Sequence, residues 1–296
     1  MGGKAPGQGP AEIVRRPRGP SFEGLARRLQ SILARISRLD RDVVIGSVDW
    51  QRPSPSGPVG CCDVDGGRLV RDTMDGDSLR ERLSRARLML ILSPEVCGGR
   101  DPLAVAAAVL PHVDAVQVRP KAGGDAGAAP APARSTFELA LAVLELCADL
   151  PAPPLVLADD RVDVALALAG RGLAGVHLGC DDLPPAEARA LLGPEPLIGL
   201  STHCAADVVR AAELPVDYLG FGPLFPTATK GYASGVGPEA AWVAAAAAGV
   251  PVFAIGGVTR ARVTELHPGA RVAVAGAILG AEAPAAAAAA LRDHLP

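Results

Sequence analysis

Gln117, Arg119 and Lys121 stand two residues apart in the stretch Gln117-Val118-Arg119-Pro120-Lys121. On an extended chain, alternation sends all three side chains to one face. An amide and two cations converging in this way suit a phosphorylated, hydrogen-bonding ligand. Two acidic pairs follow, Asp159-Asp160 and Asp181-Asp182. Hard oxygen donors from two loops, opposite a cationic strand, are what Mg2+ carrying a diphosphate needs. One acid of each pair is expected to serve the chain instead, Asp159 or Asp160 as a helix cap and Asp181 or Asp182 as the opener of a turn before Pro184-Pro185. Ser201-Thr202-His203-Cys204 offers an acid/base in His203, while its hydroxyls are equally good N-caps for a helix from near Ala205. Residues 220–231 (GFGPLFPTATKG) set Thr227, Thr229 and Lys230 between glycine and proline, a stiff turn suited to an anion. Gly256-Gly257 and the Val274-Ala275-Gly276-Ala277 stretch leave backbone N–H groups open to the approach of a phosphate.

These residues recur because the elements that carry them recur. Short apolar runs occupy 88–92, 115–118, 155–158, 175–178, 198–201, 218–221, 252–255 and 272–275, each followed by a polar or glycine-rich turn. Such runs without polar alternation read as strands buried on both faces, as in a parallel sheet. Helical stretches separate them, among them 136–149, 161–169, 184–192 and 238–248. Eight strand–helix units predict an α/β fold, a (β/α)8 barrel, with a doubly wound open sheet as the alternative. In a barrel the residues at and just after the end of each strand surround one mouth, and every candidate above lies at or after such an end.

Composition narrows the classes. The chain has 296 residues, 49% hydrophobic and 21% charged, with a net charge of −3. Only 3% is aromatic, too little for the stacking platforms of a single-strand nucleic-acid binder, and the acidic balance also argues against a nucleic-acid partner. The charge is uneven: residues 1–87 hold 16 Lys+Arg against 11 Asp+Glu, the remainder 13 against 21. This divides the chain into an extension, 1–87, and a barrel, 88–296. Residues 1–20 are rich in Gly, Pro and Arg and read as disordered, and Phe22 to Leu39 carry helical apolar spacing with arginines off the stripe. A membrane or partner surface suits such a helix, but packing against the main domain or a dimer mate is the commoner use. The vicinal Cys61-Cys62 has no nearby His or second pair, so no metal site is expected there. Six scattered cysteines without a C-x-x-C, and no secretory leader, predict reduced thiols in a cytoplasmic protein. Residues 240–259 carry no charge, yet their alanines, Gly249 and Pro251 read as a helix then a strand rather than a membrane span. A homo-oligomer is left open.

From residue 88 onward the chain resembles the thiamine-phosphate synthase family, in the wider group that includes the thiazole tautomerases. The resemblance rests on the order and spacing of VQVRPK, DDRVDVALA, GVHLGCDDLP, GLSTH, GFGPLFPTATKG and AIGGV. It implies a (β/α)8 transferase that joins hydroxymethylpyrimidine diphosphate to thiazole phosphate and releases diphosphate with Mg2+. Carried over by position, Gln117, Arg119, Lys121, Asp159, Ser201 and Lys230 would hold the pyrimidine diphosphate, with Arg119, Lys121 and Lys230 catalytic. Asp160 and Asp182 would bind Mg2+. Thr227 to Thr229 would meet the thiazole phosphate, with backbone from Gly257, Ala275 and Gly276. Three positions depart from the family: Asp159 stands where Asn is usual, Cys180 where Gln is, and Gly276 where Ser is common. The segment after Lys121 (AGGDAGAAPAPA) is long and reads as a disordered loop or flexible lid. A metal-independent tautomerase, or a non-catalytic barrel binding a thiamine precursor, are the rival implications; the cationic pair, both acids and the Thr-x-Thr-Lys stretch favour the synthase.

Overall fold

The structure, a computed structural model, describes residues 76–122, 131–226 and 234–295. By internal contacts the chain divides into residues 1–58 and 59–296, and the first unit lies outside the described residues, as do the helix expected at 22–39 and Cys61-Cys62. Eight parallel strands close on themselves in sequence order: β1 Leu88–Leu92, β2 Ala115–Val118, β3 Leu155–Asp159, β4 Gly175–Leu178, β5 Leu197–Thr202, β6 Tyr218–Phe221, β7 Val252–Ile255 and β8 Arg271–Val274. Closure is made by β8 against β1, with Leu88 opposite Val272 and Leu90 opposite Val274. The closed order excludes the open doubly wound sheet.

The strands are apolar throughout because each serves two cores. One set, including Leu88, Leu90, Val116, Val156, Val176, Ile198, Leu219, Val252 and Val272, faces outward into a shell packed with the helices. The alternate set, Met89, Ile91, Ala115, Leu155, Leu157, Leu197, Tyr218, Phe253 and Ala273, fills the barrel interior. Period-two alternation is therefore present, but it separates two buried faces rather than core from solvent. Toward the C-terminal strand ends the inward positions turn polar: Gln117, Asp159, His177 and Ser201. The apolar filling thus stops where the site begins.

Close packing inside the barrel demands glycine at Gly199. A Cβ there would lie 2.1 Å from Tyr218 Cζ, and Tyr218 is fully buried.

The helix Gly76–Arg85 precedes β1, and its Leu79 and Leu83 belong to the interior cluster. It closes the N-terminal mouth. Arg80 Nε donates to Asp217 Oδ1 at 2.8 Å just before β6, and Arg82 Nη2 to the Pro153 carbonyl just before β3 at 2.6 Å. Asp217 also accepts from Arg189 and from the Ile198 amide, tying β5 to β6 at that end. The barrel's packing therefore reaches back to Leu79, ahead of its first strand. The uncharged stretch at 240–259 is the helix Pro238–Ala247 followed by β7, and no helix among the described residues is long and apolar enough to cross a membrane.

Candidate active site

The C-terminal mouth opens into a cavity of about 320 Å³. It is lined by Gln117, Arg119, Lys121, Asp159, Asp160, Ser201, Gly257, Ala275 and Gly276, so the strand-end residues singled out from the sequence meet in one place. Asp182 is not on the cavity wall but is joined to it through Asp160. Thr227, Thr229 and Lys230 lie outside the described residues, as does most of the segment after Lys121.

One wall is an ionic lattice. Gln117 Nε2 donates to Asp159 Oδ1, Arg119 Nε is 3.2 Å from Asp159 Oδ2, and Lys121 Nζ bridges Asp159 Oδ2 at 3.2 Å and Asp160 Oδ2 at 3.0 Å. The Lys121 amide is itself fixed by Glu95 Oε1 at 2.6 Å. Glu95, on the short 3-10 turn after β1, escaped sequence reading because a single acid after a strand carries no spacing signal. Burial, with the charge of Asp160 beside it, pushes the Asp159 carboxyl up to about 6 against the pull of Lys121 and Arg119.

Asp160 sits at the turn out of β3 with φ of 60°, a left-handed backbone that aspartate tolerates better than most residues. Its amide donates to the His177 carbonyl at 2.8 Å, which anchors the turn to β4. Burial works to raise Asp160, but the hydrogen bond and charge of Lys121 outweigh it and hold the carboxyl low. Asp182 is raised by burial and by the neighbouring Asp160 carboxylate, while the Gly179 amide donating to its Oδ2 at 2.7 Å opposes this. Two carboxyl groups that meet in this way, one low and one high, form an oxygen pair that a divalent cation would relieve.

The helix caps expected from the sequence are not where they were placed. The helix Val162–Leu168 has Arg161 at its N-cap without a side-chain cap, and Pro184 precedes Pro185–Leu192, so neither acidic pair spends a carboxylate on capping. Asp159 instead ends β3 facing the barrel interior, and Asp182 holds its own turn through Gly179. At 201–204 the N-cap of Ala205–Ala211 is Cys204, assisted by Asp207, whereas Thr202 Oγ1 donates to the Gly220 carbonyl at 2.9 Å. His203 lines the cavity with Nδ1 2.6 Å from the Gly222 carbonyl.

The opposite wall is backbone. Gly256 and Gly257 follow β7 with φ of 96° and 66°, and a Cβ on Gly257 would lie 2.7 Å from the Pro226 carbonyl oxygen. Ala275 is the N-cap of the turn Gly276–Leu279, whose first N–H groups have no acceptor within the helix. These N–H groups and the cations of β2 are two separate anion-binding edges of one cavity. Between them the floor is Met89, Ile91, Tyr218, Phe253 and Ile255, with His177 and Ser201 above. His177 Nδ1 is 3.1 Å from Tyr218 Oη and its Nε2 is 3.0 Å from Ser201 Oγ. Tyr218, the first residue of β6, gave no sequence signal of a site role, since an aromatic opening an apolar run reads as core.

Known proteins resemble this chain in sequence and in fold. A sequence profile of the family described as thiamine monophosphate synthase matches residues 88–278. A thiamine-phosphate synthase of Synechococcus sp. (strain CC9605) is 42% identical over 211 residues, 70% of this chain and 55% of the relative. One of Salinispora tropica is 41% identical over 218 residues, 72% of this chain and 98% of the relative. The chain spans little more than half the length of the Synechococcus protein and nearly all of the Salinispora one. Among solved structures, a thiamine phosphate pyrophosphorylase from Pyrococcus furiosus superposes with a TM-score of 0.60 at 28% identity, covering 73% of this chain and 97% of that one.

Proposed function

We propose that this chain, which belongs to the thiamine monophosphate synthase family, joins hydroxymethylpyrimidine diphosphate to thiazole phosphate with release of diphosphate. The observation that carries the reading is the cavity with two anion edges: cations and carboxylates on the β2–β3 side, open backbone N–H groups on the β7–β8 side. A ligand with one phosphate group has use for one such edge; a reaction between two phosphorylated molecules needs both.

Arg119 and Lys121 exchange part of their pairing with Asp159 and Asp160 for the oxygens of the diphosphate as it leaves, which stabilises charge that grows in the transition state. Lys230, from the 220–231 loop, is assigned to the same oxygens. Gln117, already held by Asp159, orients the pyrimidine with Ser201. Thr227 and Thr229, with the backbone at Gly257, Ala275 and Gly276, place the thiazole phosphate so that the ring nitrogen faces the methylene carbon. The carbon–oxygen bond to diphosphate breaks with its electron pair going to oxygen, the aminopyrimidine stabilises the cation left behind, and the thiazole nitrogen supplies the pair for the new carbon–nitrogen bond. No protein nucleophile is needed.

Asp160 and Asp182 suit Mg2+ because they are hard oxygen donors that meet beside Lys121 and within reach of the Arg119 charge. Among the described residues no group of three or more metal-binding side chains occurs; an ion held by one or two carboxylates would complete its shell with water and phosphate oxygens. When bound, Mg2+ would neutralise charge on the departing diphosphate. Free thiols at the four described cysteines accord with action in the cytoplasm.

Purified protein given both phosphorylated precursors and Mg2+ should form thiamine phosphate, read as its fluorescent oxidation product. Asp160→Ala should abolish most of that product while leaving the circular dichroism spectrum unchanged. No product from the parent protein would reject the reading, and full activity in Asp160→Ala would reject the metal assignment.

A further inference from the structure

We propose that Tyr218 and His177 are positioning residues that set the direction of the Ser201 hydroxyl: the phenol fixes His177 as its Nε2–H tautomer, and Ser201 thereby presents a hydrogen-bond donor to the cavity. The inference rests on the reading above for its ligand, the pyrimidine substrate, whose ring nitrogens are acceptors; the geometry it starts from does not depend on that reading.

The three groups form a chain from the barrel interior to the site. Tyr218 is fully buried, stacks edge-on against Phe253 with ring centres 5.7 Å apart, and makes its side-chain hydrogen bond to His177 Nδ1 at 3.1 Å. His177 Nε2 meets Ser201 Oγ at 3.0 Å, and Ser201 lines the cavity. Two proton arrangements satisfy these distances. In one, Tyr218 donates to Nδ1, Nε2–H donates to Ser201, and the serine hydrogen is directed away from His177. In the other, Ser201 donates to Nε2, Nδ1–H donates to the phenol oxygen, and the buried phenol hydrogen is left with no hydrogen-bond acceptor among the described residues. Stranding a buried O–H leaves its desolvation uncompensated, whereas Ser201, beside the cavity, can turn its hydrogen to water or ligand. The first arrangement therefore prevails. Burial, with the charges of Asp159 and Asp217 nearby, keeps the phenol protonated and so able to donate. Gly199 and Gly220 make room for the chain: a Cβ on the first would strike the Tyr218 ring, and one on the second would press His177 Cε1 at 3.2 Å.

The first test needs no turnover. Long-range proton–nitrogen correlation spectra of protein labelled with 15N-histidine, at neutral pH, should show His177 as the Nε2–H tautomer, assigned by the loss of its signals in His177→Asn. An Nδ1–H tautomer, or an imidazolium, would overturn the proposal. The second test is kinetic. Tyr218→Phe should lower kcat/KM for the pyrimidine diphosphate about tenfold and leave the KM for thiazole phosphate unchanged. In a Ser201→Ala background the same substitution should have almost no further effect, because the group it directs is gone. Additive losses, or an equal rise in both KM values, would mean that Tyr218 only supports the fold. A parent protein that forms no thiamine phosphate would reject the proposed function yet leave the tautomer measurement standing, so the two failures are distinguishable.

Discussion

Asp159 puts a carboxylate against the very cations assigned to a diphosphate, where the family resemblance leads one to expect Asn. The surrounding groups accommodate either residue. Gln117 can turn its amide to accept instead of donate, and the remaining side-chain oxygen can face Arg119 and Lys121. What differs is charge. Because the folded protein holds the Asp159 proton up to about pH 6, it binds a proton that the unfolded chain has released between about pH 4 and pH 6. Stability therefore falls as pH rises through that window and stays lower above it in the absence of metal. Asp159→Asn should accordingly be the more stable protein at pH 8 in the presence of chelator, and lose that advantage by pH 4, as read from urea melts. With Mg2+ present, the same change should lower the KM for the pyrimidine diphosphate by about tenfold, since two cations are released from a competing anion. Equal melts at pH 8 would show that Arg119 and Lys121 already compensate the buried charge in full. At this scale the sequence was legible where spacing carried meaning: Gln117, Arg119 and Lys121 alternate on a strand, and their convergence follows from that. Glu95, His177 as a bridge, and Tyr218 were not, because their roles come from contacts across strands that no local pattern encodes.

At the scale of elements, the eight strands could be read because burial on both faces leaves unbroken apolar runs, and five of the eight were bounded to the residue. The ends of β3, β5 and β8 shift by a residue or so; at β3 and β5 a polar residue, Asp159 or Thr202, still belongs to the ladder. The helix Gly76–Arg85 was not read. Its sequence GDSLRERLSR offers only Leu79 and Leu83 at i, i+4 among charges, too little for a helical stripe, and its partner is the barrel floor rather than another helix. That floor is far from the C-terminal mouth, and in a barrel the two ends carry different burdens. Leu83→Ala removes a 1%-exposed side chain from the interior cluster and should cost about 2–4 kcal/mol in a denaturant melt. Its kcat/KM at a temperature where both proteins are folded should equal the parent's. A large kinetic defect would mean that the floor helix controls the geometry of the opposite mouth.

For the whole molecule, the net charge of −3 averages a basic stretch with an acidic barrel, and the low aromatic content suits the proposed binding of ligands by phosphate, amide and metal contacts. The sequence divided the chain after residue 87, where the charge and composition change. Packing suggests a different cut. Leu79 and Leu83 are interior residues, and Arg80 and Arg82 bond to the β6 and β3 sides of the floor, so residues 76–87 work with the barrel although their composition belongs with what precedes them. Removal of residues 1–58, the unit that contacts divide from the barrel, should leave a protein that melts within about 3 °C of the parent, a shift of no more than about 1 kcal/mol. Removal of residues 1–87 strips the interior of Leu79 and Leu83 and leaves Asp217 without its bond from Arg80. Losing two buried leucines and a partly buried ion pair should cost on the order of 5 kcal/mol or more, and lower the melting temperature by at least about 10 °C. Differential scanning calorimetry of the three proteins decides between the cuts. If the shorter deletion already destabilises, residues before 59 contribute to the barrel; if neither does, the floor helix is dispensable and the boundary drawn from composition stands.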